Sequence, residues 1–250
     1  MKLDRVIAVR NRKTVFRDGE NCIKVFDSGY TKADVLSEAL NQARIEETGL
    51  NIPEVLEIIK VDGRWAIVSK FIEGKTLERL MTEYPEKRKD WIQLFTGLHT
   101  EIHQKRCPEL SRQKDLMNME LAQCSLDATT RYALHTRLET LPRTNHICHG
   151  DFSPSNIIIN ENDGAYILDW THATQGNPAA DAARTYLLFW LEGRISGAEE
   201  YLDLFTGMTG ETRENVERWM PIVAAARSVR GNEKEREFLL SWVEKARNHE

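Results

Sequence analysis

The chain has 250 residues, 41% hydrophobic and 29% charged, and carries a formal net charge of −5 at pH 7. That length accommodates one large domain or two lobes with cores of their own, and the acidic balance speaks against a general nucleic-acid-binding surface. No stretch approaches the roughly 18 apolar residues of a spanning helix, so no membrane partner is expected.

Residues 5 to 27 read as strands. Val6-Ile7-Ala8-Val9 is apolar, Arg10-Asn11-Arg12-Lys13 is a basic turn, and Thr14-Val15-Phe16 resumes the pattern. Asp18-Gly19-Glu20-Asn21 signals a second turn, after which Cys22-Ile23-Lys24-Val25-Phe26 alternates about Lys24. A lysine inside an apolar strand has two readings: an edge strand with Lys24 in solvent, or a lysine reaching the α- and β-phosphates of a nucleotide. A helix is expected over 31–48, capped by Thr31 or Asp34 and ended by Gly49, with Glu38 as a partner for Lys24 and with Glu46 and Glu47 on a solvated surface. Two further strands, Val55 to Val61 and Trp65 to Ile72, flank the Asp62-Gly63 turn. Three strands, a helix and two strands make an N-terminal lobe over 1–74, and the boundary falls at Gly74.

Residues 75–250 are mostly helical by apolar spacing, over roughly 76–83, 86–106 and 113–140, then Asp181 to Leu191, Ala198 to Phe205 and Thr212 to Ala246. His99 and His103 stand one helical turn apart but lack the H-E-x-x-H pattern, which favours packing at a helix interface over a metal site. Trp91, Trp190, Trp219 and Trp242 read as core. Cys22, Cys107, Cys124 and Cys148 show neither C-x-x-C nor dense spacing, and Met1-Lys2-Leu3-Asp4-Arg5 lacks the apolar run of a signal peptide. Reduced thiols in a cytoplasmic protein are expected.

The chemistry concentrates in His149-Gly150-Asp151-Phe152-Ser153-Pro154-Ser155-Asn156, followed by strands Ile157-Ile158-Ile159 and Ile167-Leu168-Asp169 across the turn Asn160 to Gly164. Asp151, Asn156 and Asp169 outline a kinase centre: one carboxylate faces a substrate hydroxyl, while the amide and the second carboxylate hold Mg²⁺ on a nucleotide's phosphates.

These motifs, with Gly176-Asn177-Pro178-Ala179-Ala180-Asp181 downstream, resemble the aminoglycoside phosphotransferase and choline kinase-like family of small-molecule kinases. The resemblance implies a two-lobed, protein-kinase-like α+β fold, with a small antiparallel N-lobe carrying one helix and a mainly helical C-lobe carrying a catalytic hairpin. It implies ATP and Mg²⁺ as cofactors and a small-molecule hydroxyl as acceptor. Asp151 would take the acceptor proton, Asn156 and Asp169 would bind the metal, and Lys24 would contact phosphates with Glu38 holding it. Adenine would lie on the Lys70 C=O and the Ile72 N–H, His149 would support the loop, and Asp181 would brace it. Glu192, Arg227 and Arg230 are polar acceptor-site candidates for which surface placement is the plainer expectation.

The chain departs from many kinases in its first turn, Arg10-Asn11-Arg12-Lys13-Thr14, where glycine would let backbone N–H groups approach phosphates. Basic side chains would have to replace that contact, and a nucleotide-binding regulator without turnover is the alternative reading. A protein kinase fits less well, because no A-P-E segment follows Asp169 and Trp170-Thr171-His172 stands where an activation loop would begin.

Overall fold

A computed structural model describes residues 5–10, 12–230 and 232–247. Asn11 and the Arg10 side chain, both in the basic first turn, lie outside it, as do residues 1–4. The contacts divide the chain into two compact units, Met1–Pro85 with Pro154–His172, and Glu86–Ser153 with Ala173–Glu250.

The first unit is built on an antiparallel sheet of β1 (Arg5–Arg10), β2 (Lys13–Asp18), β3 (Asn21–Phe26), β4 (Val55–Val61) and β5 (Arg64–Lys70), in the order β1-β2-β3-β5-β4. Asp62 and Gly63 both take positive φ, the geometry of a tight hairpin turn whose twist matches its strands. β3 lies inside the sheet, with Lys24 opposite Val15 on β2 and Ile67 on β5, so the edge-strand reading of Lys24 fails. Strand alternation sends Ile23 and Val25 to one face, with Ala66 and Val68. Phe26 goes to the other, where Val35 and Ala39 of helix α1 (Lys32–Glu46) cover it, and Lys24 shares that face.

Helix α1 starts at Thr31, whose hydroxyl accepts the Asp34 N–H while the Asp34 carboxylate accepts the Thr31 N–H, a reciprocal cap. Glu46 is not on a solvated surface as expected: its carboxylate accepts the Val55 N–H at 2.8 Å.

The short strand β6 (Lys75–Thr76) leads into α2 (Leu77–Glu83) and pairs with β8 (Ile157–Asn160), which pairs in turn with β9 (Gly164–Ile167). Gly74 precedes β6 at φ 148°, and a Cβ there would collide with the Ile159 carbonyl. The five-stranded sheet ends at Lys70, and the first unit runs past Gly74 to Pro85 and takes in Pro154–His172, so the hairpin expected in the 75–250 lobe groups with the first unit through the pairing of β6 with β8.

The second unit contains helices α3 (Arg88–Gln104), α4 (Gln113–Gln123), α5 (Ala128–Thr140), α6 (Pro178–Leu191), α7 (Ile195–Thr209), α8 (Arg213–Ser228) and α9 (Glu233–Arg247). Strands β7 (His146–Cys148) and β10 (Thr174–Gly176) pair antiparallel. Two stretches expected as single helices are pairs. Asp127 accepts the Thr130 N–H and starts α5 afresh, which splits 113–140. Asn232 accepts the Glu235 N–H and starts α9, which splits 212–246. The core gathers Phe95, Phe152, Phe189, Tyr201 and Phe205. Trp219 is fully buried as expected, while Trp91, Trp190 and Trp242 are half-buried. Among the described residues no disulfide joins the four cysteines, and no helix is long and apolar enough to cross a membrane.

Candidate functional site

In the first unit, two lysines converge on one buried carboxylate. Lys24 Nζ lies 2.8 Å from Glu38 Oε1, and Lys13 Nζ lies 2.7 Å from Glu38 Oε2, with Glu38 only 3% exposed. Lys24 Nζ also stands 3.6 Å from Asp169 Oδ1. Burial alone would depress the Lys24 ammonium, but Asp169 and Glu38 outweigh it and raise its pKa, so the charge persists at neutral pH.

Asp169 follows β9 in the left-handed region, φ 62°, and its Oδ1 accepts the Thr171 hydroxyl at 2.6 Å. A non-glycine residue held there stores backbone strain of order 1–3 kcal/mol, a feature that clusters at functional sites. Asn156 closes a short 3₁₀ turn and is buried, with its carbonyl accepting the Leu168 N–H at 2.8 Å. A cavity of about 220 Å³ is lined by Lys13, Lys24, the stretch Ser69 to Ile72, Asn156 and Asp169. Each residue expected to bind a nucleotide or metal therefore borders one space except Glu38, which sits behind the lysines. Asn156 and Asp169 bring oxygen donors to it, a set that suits Mg²⁺.

Asp151 belongs to the second unit, at the end of the loop that follows β7. Gly150 takes φ 76°, and Asp181 holds this turn with both oxygens. Oδ2 accepts the His149 N–H at 2.7 Å and Oδ1 the Gly150 N–H at 2.9 Å. Oδ2 also meets His99 Nε2 at 3.0 Å and His103 Nε2 at 3.1 Å. The Tyr201 hydroxyl sits 2.8 Å from His99 Nδ1. A carboxylate can only accept, so both rings carry Nε2–H and Tyr201 donates to His99.

Burial would raise the Asp181 carboxyl, but hydrogen bonds from His103 and His99 hold it well below the usual range. Burial, and then the neighbouring His103, lower His99 to about 4, so that ring is neutral at pH 7. The Asp151 N–H donates to His149 Nδ1 at 3.2 Å. The Asp151 carboxylate is 32% exposed, with Arg227 Nη1 at 3.8 Å from Oδ1.

Sequence reasoning left one feature open and missed two. The basic turn with Lys13 reads either as solvated or as a phosphate contact; the Lys13 side chain points inward, and the pairing of β2 with β3 brings it to Glu38. His99 and His103 pack at a helix interface as expected, but their ring nitrogens serve the Asp181 carboxylate. Arg227 is 19% exposed and faces Asp151, not the surface. Glu192 pairs with Arg194 at the end of α6, and Arg230 is half-exposed against Glu120.

A model of the phosphotransferase enzyme family matches residues 8–219. No curated protein matches the chain by sequence. Among solved structures, a thermostable mutant of aminoglycoside phosphotransferase APH(4)-Ia in its apo form is similar at TM-score 0.72 and 16% identity, covering 98% of this chain and 93% of that one. The same type of mutant in ternary complex with ADP and hygromycin B gives 0.70 and 15%, covering 96% and 91%. Choline kinase LicA from Streptococcus pneumoniae gives 0.67 and 15%, covering 100% and 94%. At these identities the likeness establishes the protein-kinase-like α+β fold. The family match spans well over half of the 250 residues, and by it the chain belongs to the phosphotransferase enzyme family and is a small-molecule kinase.

Proposed function

We propose that this kinase transfers the γ-phosphoryl group of ATP to a hydroxyl of an aminoglycoside, an amino alcohol or a sugar-like alcohol in the cytoplasm. The observation that carries the reading is the convergence of Lys13 and Lys24 on Glu38, beside Asp169 and Asn156, in one cavity of the first unit. A triphosphate is strongly anionic, and phosphoryl transfer gains mainly from positioning and fixed positive charge. The nucleotide and hygromycin B in the similar ternary complex support the same class of substrates.

In the proposed reaction the acceptor oxygen forms a bond to the γ-phosphorus, and the bond from that phosphorus to the β–γ bridging oxygen breaks. ADP leaves, and the hydroxyl proton passes to the Asp151 carboxylate. Lys24 and Lys13 hold phosphate oxygens, and Glu38 fixes both ammonium groups. The adenine edge is received by the Lys70 C=O and the Ile72 N–H. Asn156 and Asp169 would hold Mg²⁺, whose charge offsets that of the β- and γ-phosphates. Asp181, through the His149 and Gly150 amides, keeps the Asp151 loop in shape.

The test is ADP release with Mg²⁺ and ATP over aminoglycosides, amino alcohols and sugars. Asp151→Ala is expected to lower turnover by about 10²–10⁴ with the fold unchanged. Near-normal turnover in that variant would remove Asp151 from the reaction, and Mg·ATP binding without transfer to any acceptor would favour a regulator.

A further inference from the structure

Two arginines of the second unit lack the partners that buried guanidinium groups require. Arg184 lies on α6 among residues that are mostly buried, and its Nε and Nη2 are buried with no hydrogen-bond partner. Arg227 lies on α8, and its Nε is likewise buried and unpartnered. The Asp151 carboxylate is 3.8 Å from Arg227 Nη1, within ion-pair reach but beyond a hydrogen bond. Arg184 senses the charges of Arg227, Asp151, Glu120 and Arg230, and of these Arg230 is already bound by Glu120 of α4. Burial first, and then the like charge of Arg227, pull Arg184 down to about 10.

None of this helps the fold. A buried donor left unmade is costly, and apolar residues of similar volume between packed helices would be as stable or more so. The charges count three guanidinium groups against two carboxylates, Asp151 and Glu120, and the acceptor hydroxyl requires Asp151. A planar guanidinium fork matches the two oxygens of a carboxylate or phosphate. A quaternary or ammonium group beside Arg184 and Arg227 would meet like charge instead.

We infer that the acceptor of this kinase carries an oxyanion, a carboxylate or a phosphate, near the hydroxyl to be phosphorylated, and that Arg184 and Arg227 bind it. The inference rests on the phosphotransfer reading with Asp151 at the acceptor, and of the three acceptor classes named there it selects acidic sugar-like alcohols over aminoglycosides and amino alcohols.

The test uses the intact protein with two readouts. One is equilibrium binding in the presence of a non-hydrolysable ATP analogue, and the other is ADP release with Mg²⁺ and ATP. The probes are glycerate and gluconate for carboxylates, glycerol 3-phosphate for phosphate, glycerol and glucose as neutral controls, and choline and hygromycin B as cations. At least one anionic probe is expected to bind and to stimulate ADP release, while the cations do neither. Arg184→Gln is expected to weaken that probe's Kd and raise its KM by about tenfold or more, leaving the KM for ATP unchanged. Arg184→Lys, which keeps the charge and loses the fork, is expected to fall between.

Binding of cations alone, or of no anion, overturns the inference. So does an Arg184→Gln effect confined to kcat and equal for all acceptors, which would assign the arginines to the transferring phosphoryl group. If Arg184→Gln fails to fold, Arg184→Lys and the salt dependence of wild-type anion binding decide, and salt-insensitive binding overturns the inference. Anion binding without ADP release from any probe would instead sink the phosphotransfer reading and leave the oxyanion site standing.

Discussion

Asp181 offers the sharpest perturbation, because one buried carboxylate accepts from four donors: the His149 and Gly150 amides and the Nε2–H groups of His99 and His103. Asp181→Ala leaves all four unmade. At roughly 1–3 kcal/mol each, the total of about 4–12 kcal/mol rivals the whole stability of a typical domain, about 5–15 kcal/mol, so little folded protein is expected. Asp181→Asn is the informative variant. Both histidines can adapt: His103 Nδ1 has no partner, so its proton can move there, and His99 can do the same if the Tyr201 hydroxyl turns to accept. The two amides cannot adapt. Whichever way the new amide group is turned, its NH₂ faces a backbone N–H, and one donor is lost at about 1–3 kcal/mol. At roughly 2–4 °C per kcal/mol for a chain of this size, Tm should fall by about 2–12 °C. Turnover should fall as well, because the lost bond anchors the loop that carries Asp151. Thermal denaturation and ADP release are the assays. An Asp181→Asn protein with wild-type Tm and turnover, or an Asp181→Ala protein that folds normally, would refute the reasoning.

Two further outcomes are expected. Lys13→Met should raise the KM for ATP by about tenfold or more, since a charge-assisted contact to phosphate is removed; Glu38 keeps Lys24 on Oε1 but its buried Oε2 loses a donor, so Tm should fall by a few degrees as well, and an unaltered KM would show that Lys13 serves only the ion pair. For pH, the folded-state pKa of His99, about 4, lies below its ordinary 6.5, so the unfolded chain takes the proton more readily. The contribution is complete above about 6.5 and is lost as pH falls toward 4, about 3 kcal/mol in all, and the depressed Asp181 gives way only lower still. Denaturant midpoints at pH 7, 5.5 and 4.5 should show the loss in wild type and a shallower slope in His99→Gln, and equal slopes would exclude His99 as its source.

The parts of this molecule that were legible in the sequence are those set by local pattern. Alternation and the Asp62-Gly63 turn pointed to the strands, and spacing along the chain pointed to Asn156 and Asp169 as oxygen donors, which border one cavity with Lys24. What was not legible depends on pairing between distant strands or helices. Lys13 reads as a turn residue until β2 is laid beside β3 and α1 covers that face. Arg184 sits in Pro178–Leu191 like a lone charge on an amphipathic helix, and nothing local reveals that Arg227, 43 positions on, is its neighbour. The breaks at Asp127 and Asn232 were local, since both are N-cap residues, but continuous apolar spacing on either side masked them.

The glycine-free first turn now has a physical account in side chains. Arg12 takes φ 59°, a conformation that costs a non-glycine residue roughly 1–2 kcal/mol. Its guanidinium binds Asp27 at 2.8 Å and lies over the Tyr30 ring, and a Cβ on Gly29 would collide with it. The Asp27 N–H donates to the Arg12 carbonyl at 2.9 Å, which ties the turn to the end of β3. With Arg12 held outward in this way, Lys13 is directed inward over Phe26 to Glu38. A glycine-rich turn meets phosphate with backbone N–H groups at fixed hydrogen-bond geometry, whereas a lysine meets it as a mobile point charge. The glycine is therefore not simply missing. On the proposed phosphotransfer reading its role is divided between Arg12, which holds the turn to Asp27, and Lys13, which would carry the charge, and a nucleotide held this way should bind with a steeper dependence on ionic strength than one cradled by amides.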